Sequence, residues 1–390
     1  MENTGKLQNI ITAALLLVLF TLVIILEQVI SPTDSMSMLL TVLKKSSVYA
    51  IVAVSMNLLN GFTGLFSLGQ AGFMLMGSYT YAMFTIPLAD RVSVYKYYDC
   101  AITVSFPEIL ENAMGSVGVL LGVIIALILS GLAAAGMAFL IGYPVLRLKS
   151  DYLAIATLGF AEIIRAIYQW GKLGPITNGS NPLRNYVRLN AFQIQTENGA
   201  IMLTTFTSVL IATICVGMIV LLINSSYGRA FKAIREDEIA AEAMGINLYR
   251  HKQTAFGVSC FFAGVGGGLF AMFANTVQAN TFKAAMTFEI LLIVVLGGIG
   301  SVSGSCIAAV LFIFASEWWL RGLDAGRFLG INAPTVFRNG FRLLVFSVII
   351  ISVVLFFRRG IMGDKELPHT VRWIRNKLFA PKKEAGDTVG

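Results

Sequence analysis

Few residues in this chain could carry out covalent chemistry. Its two histidines, His251 and His369, form no His-Glu-x-x-His pattern and join no Cys/His cluster, so no metal site is expected. The glycine-rich phosphate-binding pattern ending in Gly-Lys-Ser/Thr does not occur, because Gly171-Lys172 lacks its upstream glycine. No Ser-His-Asp arrangement stands out, and no cofactor is expected in the chain itself. What remains is charge and polarity inside apolar runs. Glu162 and Arg165 stand three apart and can pair along one helix face. Glu27, Glu289 and Glu317 lie near the ends of apolar stretches, where they can reach water. A charge at the centre of a membrane helix costs ~2.5–3.5 kcal/mol, so an ion-coupled carrier is expected to hold a functional acid mid-span. No clear one is visible. That weighs against such a carrier and keeps it as an alternative, to be tested by neutralising Glu162 and Glu289. An enzyme acting on lipid or polyprenyl substrates would need an Asp-rich or His-rich loop, which is not seen.

A second polar set lies in the stretch from Gly61 to Tyr79. It is apolar enough for a bilayer, yet it contains Thr63, Ser67 and Gln70 and glycines at 61, 64, 69, 72 and 77. Gly61 and Gly64 can break the chain between two half-helices. Backbone groups freed in a bilayer are tolerable only against protein or a wet cavity. Two readings stay open here: Ser67 and Gln70 face a solute path, or they bond across helices while the glycines serve packing. Asn57 and Thr157 are weaker candidates of the same kind.

The elements holding these residues belong to a membrane protein. Of 390 residues, 56% are hydrophobic and 13% charged, with a mean hydropathy of +0.77; soluble domains carry about a quarter charged residues. The fold class expected is all-α, a polytopic helix bundle. About ten spans are read at 9–29, 47–60, 64–86, 117–141, 152–169, 200–223, 252–275, 286–299, 303–320 and 339–357. Three of them (47–60, 152–169 and 286–299) are short against the ~20 residues that a bilayer needs, which points to broken helices lining a cavity. Lys6 followed by apolar Ile10–Leu26 could be a signal peptide. No small-x-small cleavage site follows, so an uncleaved first span is expected. The net charge of +8 orients the chain in the membrane and is no nucleic-acid signature. Cys215, Cys260 and Cys306 lie in apolar runs and Cys100 in a loop, so all four read as fillers and not as a disulfide framework.

Basic residues cluster in segment 224–252 and after 357, which places both in the cytoplasm, and ten crossings then put the N-terminus there too. Residues 1–363 form the membrane domain and 364–390 a basic tail. Within the tail, Val371–Phe379 is either a helix on the membrane surface or disordered. Gly118, Gly122, Ala126, Ser130, Ala134 and Ala138 make a small-residue stripe at every fourth position, and Gly264/Gly268 and Gly300/Gly304 are further small pairs. These read as helix packing.

The most informative polar segment is Tyr227–Asn247. Asp237 can cap a short helix over Glu238–Met244, and Gly245 can end it in the left-handed conformation. Ala240, Ala241 and Ala243 give that helix a low surface, with Glu242 among them and with Ile239 and Ile246 as apolar contacts. Such a helix suits docking into a groove of a partner, or is an ordinary amphipathic loop helix.

This segment resembles the coupling loop of ABC-importer permeases, whose general form is Glu-Ala-Ala, three residues, then Gly. Ala240, Ala241 and Gly245 match; Ile239 stands where the glutamate would be, beside Glu238. The run 228–247 is also similar to branched-chain amino-acid permeases of the LivM type. So are Ser67-Leu-Gly-Gln-Ala-Gly72, Asp151-Tyr-Leu-Ala-Ile-Ala-Thr-Leu-Gly159, Phe288-Glu-Ile-Leu-Leu292 with Gly297-Gly-Ile-Gly-Ser301, and Phe357-Arg-Arg-Gly-Ile361. They follow the family's order and cover most of residues 45–363. The departures are Thr177-Asn-Gly-Ser-Asn-Pro-Leu183, where the family often has a Gly-Gly-Ser-Asp-Gly-like run, and the segment around 88–114.

The resemblance implies a permease subunit of an ATP-driven importer in the bacterial plasma membrane. Its partners would be a second, related permease, two cytoplasmic ATPases carrying the ATP and magnesium, and an extracellular binding protein that delivers leucine, isoleucine or valine. No nucleic acid is involved. The docking residues would be Asp237, Glu238, Ile239, Ala240, Ala241, Glu242, Gly245 and Ile246. Thr63, Ser67 and Gln70, with Asn57 and Thr157, would be the candidates for contact with a zwitterionic substrate, helped by N–H groups at a helix start. Urea, a nucleoside or a sugar are alternative cargoes within the same class.

Overall fold

A computed structural model describes residues 17–30, 36–148, 150–196 and 199–319, and beyond them only 327–328, 331–332, 348, 351 and 360–363. The expected span at 339–357 lies almost wholly outside the described residues, and the tail segment Val371–Phe379 entirely so.

The chain is a helical bundle. It opens with α1 (Leu17–Val29) and α2 (Ser37–Asn57), whose end widens into a π-helical turn at Leu58–Phe62. Then come α3 (Gln70–Thr85), the short α4 (Arg91–Val94) and α5 (Phe106–Met114), the long α6 (Ser116–Val145), and α7 (Ser150–Gln169). A turn of helix, α8 (Gly174–Thr177), and an antiparallel hairpin of β1 (Gln193–Thr196) and β2 (Gly199–Met202) lead into α9 (Thr204–Asn224). The polar stretch forms α10 (Ser226–Glu236) and α11 (Glu238–Ala243). It is followed by α12 (Leu248–Phe273), α13 (Ala284–Gly297) and α14 (Val302–Phe314). Two further short strands, β3 (Arg327–Phe328) and β4 (Ile331–Asn332), pair antiparallel.

Among the described residues, four helical stretches are long and apolar enough to cross a membrane: Ser37–Phe62, Val117–Val145, Thr204–Asn224 and Leu248–Phe273. The short helices are not all where the sequence put them. The expected short span at 47–60 is part of a 26-residue helical stretch, because the helix runs through Lys44 and Lys45 instead of starting after them. Lys45 pairs with Glu317 beyond α14, so its charge does not end the helix. The span expected at 152–169 is a helix of 20 residues, long enough for ~30 Å of hydrocarbon. The span expected from 64 starts only at Gln70 and is 16 residues long. The one expected at 286–299 is short, at 14 residues. Residues 200–202, expected to open the sixth span, lie in strand β2 instead, and α9 starts at Thr204.

α12 is the central helix, and small residues set how closely its neighbours approach. A Cβ on Gly77 of α3 would sit 2.0 Å from the carbonyl oxygen of Gly264, so the two backbones touch where they cross. On another side α12 meets the small-residue stripe of α6 at Ser130 and Ala134, while Gly118 and Gly122 of the same stripe receive α5. The stripe is therefore packing, as its spacing predicts. Glu27, expected near water, is buried at the start of α9. Its carboxylate accepts from the N–H groups of Thr205 (2.7 Å) and Phe206 (3.1 Å) and from the Thr204 hydroxyl (2.6 Å), an anion satisfying a helix N-terminus.

The 88–114 segment at the far end of α3 is ordered around Arg91. The guanidinium is buried and donates to the carbonyls of Val104 (2.7 Å), Ile86 (3.3 Å) and, in a close contact, Ile102. Nearby, the Tyr95 and Tyr186 phenols donate to the carbonyls of Ile176 and Ala274, each at 2.8 Å. Burial pushes both phenols well above their usual pKa, which keeps them neutral donors.

Candidate coupling corner and interrupted helix

The α10–α11 corner is built by local capping. Asp237 is in extended backbone between the two helices, and its Oδ1 accepts from Ile239 N (2.8 Å) and Ala240 N (3.0 Å). At the other end Gly245 has φ of +85°, Gly245 N–H donates to the carbonyl of Glu242 (2.9 Å), and Ile246 N–H donates to that of Ala241 (3.1 Å). The turn back toward the last helical carbonyls needs a residue in the left-handed region, where glycine pays no Cβ penalty. Asn247 then caps α12 through Arg250 N (3.0 Å). The Lys252 ammonium reaches Glu238 (2.6 Å) and ties α11 to α12. Only Ala241 of α11 is buried. Ile239 is 82% exposed and Met244 84%, with exposed Ala240, Glu242 and Ala243 beside them. Two large apolar side chains protrude from a rigid, small-residue surface.

Behind this corner stands a contact that residue spacing did not predict. Arg235, counted in the sequence only as loop charge, donates from Nη1 to the carbonyl of Gly61 (2.8 Å) and pairs with Glu236 (2.7 Å). Lys232 lies 5.7 Å above the Phe62 ring, a cation–π distance. Both partners are in the π-helical turn that ends α2. Gly64, immediately beyond, has φ of +75°, and a Cβ there would come within 3.0 Å of Arg235 Cγ. The base of the α10–α11 corner is thus bonded to the interruption between α2 and α3.

The interruption is also tied to the α13–α14 turn. Asn57 is fully buried; its Nδ2 donates to Ser301 O (2.9 Å) and Ser305 Oγ (2.8 Å), and its Oδ1 accepts from Gly300 N (2.8 Å). The segment 360–363 closes the group, with Ile361 N–H donating to the carbonyl of Leu296 (2.8 Å). The stretch at 297–301 and residues 360–361, separate in the sequence, therefore meet.

The other polar candidates are buried and partnered within the chain. Thr63 donates to the carbonyl of Leu58 (3.0 Å). Ser67 offers its N–H to Asn60 Oδ1 (3.1 Å), and its hydroxyl accepts from Gly69 N (3.4 Å). Gln70 donates to Ser55 Oγ (2.9 Å) and Ser259 Oγ (3.3 Å), joining α3 to α2 and α12. The Thr157 hydroxyl of α7 accepts from Leu68 N (3.0 Å). At the start of α3 the Ala71 N–H is taken by the Thr287 hydroxyl (3.2 Å). In this conformation Asn57, Gln70 and Thr157 cross-link elements around the break, while Thr63 and Ser67 bond locally within it. Asn60 differs: its Nδ2 is buried without a partner among the described residues. It was not singled out in the sequence, where an asparagine amid leucines and glycine carries no signal of its own.

With this geometry in hand, the comparisons with known proteins are decisive on family. The sequence profile of the family described as branched-chain amino acid transport system permease component matches residues 38–356. The chain belongs to this family. Among curated relatives, the high-affinity branched-chain amino acid transport system permease protein LivM of Salmonella typhimurium is 33% identical over 291 residues, 69% of this chain and 61% of that protein. Its Escherichia coli counterpart is 31% identical over the same shares. A LivM-named permease of Methanocaldococcus jannaschii is 23% identical over 82% of this chain and 91% of its own length. The match thus spans 61% of the length of the two enterobacterial relatives. No solved structure matches the chain. The permease match of 38–356 takes in nearly all of α2 through α14, and with them both the α10–α11 corner and the interrupted helix.

Proposed function

We propose that this chain is the transmembrane permease subunit of an ABC importer for branched-chain amino acids. It crosses the bacterial plasma membrane about ten times with both termini in the cytoplasm. Residues 1–363 form the membrane domain, and 364–390 a basic cytoplasmic tail. Segment 224–252 is the cytoplasmic coupling loop. ATP is bound and hydrolysed, with magnesium, on two separate ATPase subunits. A second, homologous permease completes the pore, and an extracellular binding protein supplies leucine, isoleucine or valine.

The observation that carries this reading is the capped helix α11, with Ile239 and Met244 protruding, joined through Arg235 to the interruption between α2 and α3. Two exposed apolar anchors on a rigid element suit a groove in a partner. A push on α11 would reach Gly61 without passing through a flexible segment, since Asp237 and the Arg235 guanidinium fix the path. Opening the break would free Thr63, Ser67, Gln70, Asn57 and Thr157 from their present partners toward a solute. Asn60 Nδ2 already offers a donor there.

Reconstitution tests it. In liposomes holding the chain with the second permease, both ATPases and the binding protein, leucine uptake is expected with ATP and is expected to vanish when the ATPases are left out. Leucine movement by the chain alone, driven by an ion gradient, would overturn the proposal. Cysteines placed singly at 237–246 should cross-link to the ATPase; if none does, the docking role falls.

A further inference from the structure

We infer that the face of α7 carries a receiving site for an apolar amino acid, with Arg165 taking the carboxylate and Glu162 the ammonium. This deepens the proposed function and rests on it. Arg165 Nε and Nη2 lie 2.7 and 2.5 Å from Glu162 Oε2. Arg165 Nη1 also reaches Asn280 Oδ1 (3.4 Å), which accepts from Gln169 Nε2 (3.0 Å), while Glu162 Oε1 accepts from Ala284 N (3.3 Å). The pair is partly exposed, with 23% of the Arg165 side chain and 38% of the Glu162 side chain open. An ion pair open on the surface of a helix in a membrane bundle is unfavourable against hydrocarbon, so this face meets water or protein.

Beside the pair is an open cavity of about 560 Å³ lined by Ile163, Ala166, Ile167, Gln169, Trp170 and Ser180. Glu162, Arg165 and Gln169 form one stripe of α7, at spacings of three and four. Ile163, Ala166, Ile167 and Trp170 form the adjoining stripe. Gln169 belongs to both groups. A polar stripe able to hold two opposite charges thus borders an apolar groove, which is the layout of an amino acid with a hydrocarbon side chain.

The pair need not stay closed. A partly exposed ion pair contributes little and opens readily, and the guanidinium fork matches a carboxylate with two parallel bonds. A zwitterion brings both charges, so each partner of the opened pair finds a new one. A solute with only one charged end would leave Glu162 or Arg165 unpaired. The site therefore discriminates by having two poles as well as an apolar wall.

The test uses the full reconstituted complex and a leucine analogue carrying a photoreactive diazirine in its side chain. Labelling is expected on the peptide holding residues 152–170, reduced by excess leucine but not by 4-methylpentanoate or 3-methylbutylamine, which each lack one pole. Arg165→Gln and Glu162→Gln should each lower labelling by roughly ten- to hundredfold, the loss expected for one charge-assisted bond. Co-purification of the partner subunits reports assembly. Should either variant fail to assemble, Arg165→Lys and Glu162→Asp keep the pair while displacing its poles, and should raise the KM for leucine with kcat little changed. No labelling on the peptide holding residues 152–170, or labelling there indifferent to both charges, overturns the site and leaves the importer reading standing. Absence of ATP-driven leucine uptake by the unaltered complex overturns both.

Discussion

Gly245 decides the shape of the α10–α11 corner with a single backbone angle. Its φ of +85° lies where a side chain clashes with its own backbone, and a Cβ there would meet nothing else within 4 Å. Substitution is therefore costly only through conformation, by about 1–2 kcal/mol for an L-residue forced left-handed and more for a β-branched one. Gly245→Val should leave the protein inserted and assembled, fray the end of α11 and lower ATP-driven uptake per assembled complex, measured in liposomes. Normal uptake would count against docking through α11. Asp237 and Gly245 were legible in the sequence because capping is local: donor and acceptor stand within a few residues. Gln70 and Asn57 were legible only as polar residues in apolar surroundings. Their partners, Ser259 and the turn at 300–305, lie far along the chain, and no spacing rule brings them together.

Among elements, the crossing of α3 and α12 shows how glycine substitutes for volume. Gly77 lies against the Gly264 backbone, and the Ser78 hydroxyl donates to the carbonyl of Gly267 (2.6 Å). Gly77→Val would drive its Cβ into a backbone oxygen that cannot step aside. The helices must part, at ~1–3 kcal/mol or more by the usual cost of overpacking. A lower melting temperature of the detergent-solubilised complex is the expected result; an unchanged one would mean that the crossing is looser than described. The small-residue stripe of α6 was readable because packing follows the helical period. The ends of α2 and α3 were not. The span read from 47 starts after Lys44 and Lys45, whereas Glu317, beyond α14, neutralises Lys45 and the helix runs through both. Gly61 and Gly64 marked the break, yet they do not by themselves tell how far the chain stays non-helical before Gln70.

At the scale of the molecule, coupling requires that force on the corner reach the membrane interior, and Arg235 is the shortest link between them. Its guanidinium binds the carbonyl of Gly61 at the end of α2, one residue before Phe62, over which Lys232 sits. Asn57, a turn earlier, holds the α13–α14 turn, so one displacement of α10 would shift two elements together. A charged hydrogen bond of this kind is worth about 1.5–3 kcal/mol, enough to change the balance of two conformations by roughly ten- to hundredfold. Arg235→Gln keeps a polar side chain and loses the charge and the fork. α11 keeps its own cap at Asp237 and its tie to Lys252, so the ATPases should still dock and hydrolyse ATP. Uptake should fall, and the ratio of ATP hydrolysed to leucine imported should rise. Measuring hydrolysis and uptake in the same liposomes separates the outcomes. If both fall in proportion, Arg235 supports assembly and not transmission. If neither changes, the force takes another route, and the bond to Gly61 is packing alone.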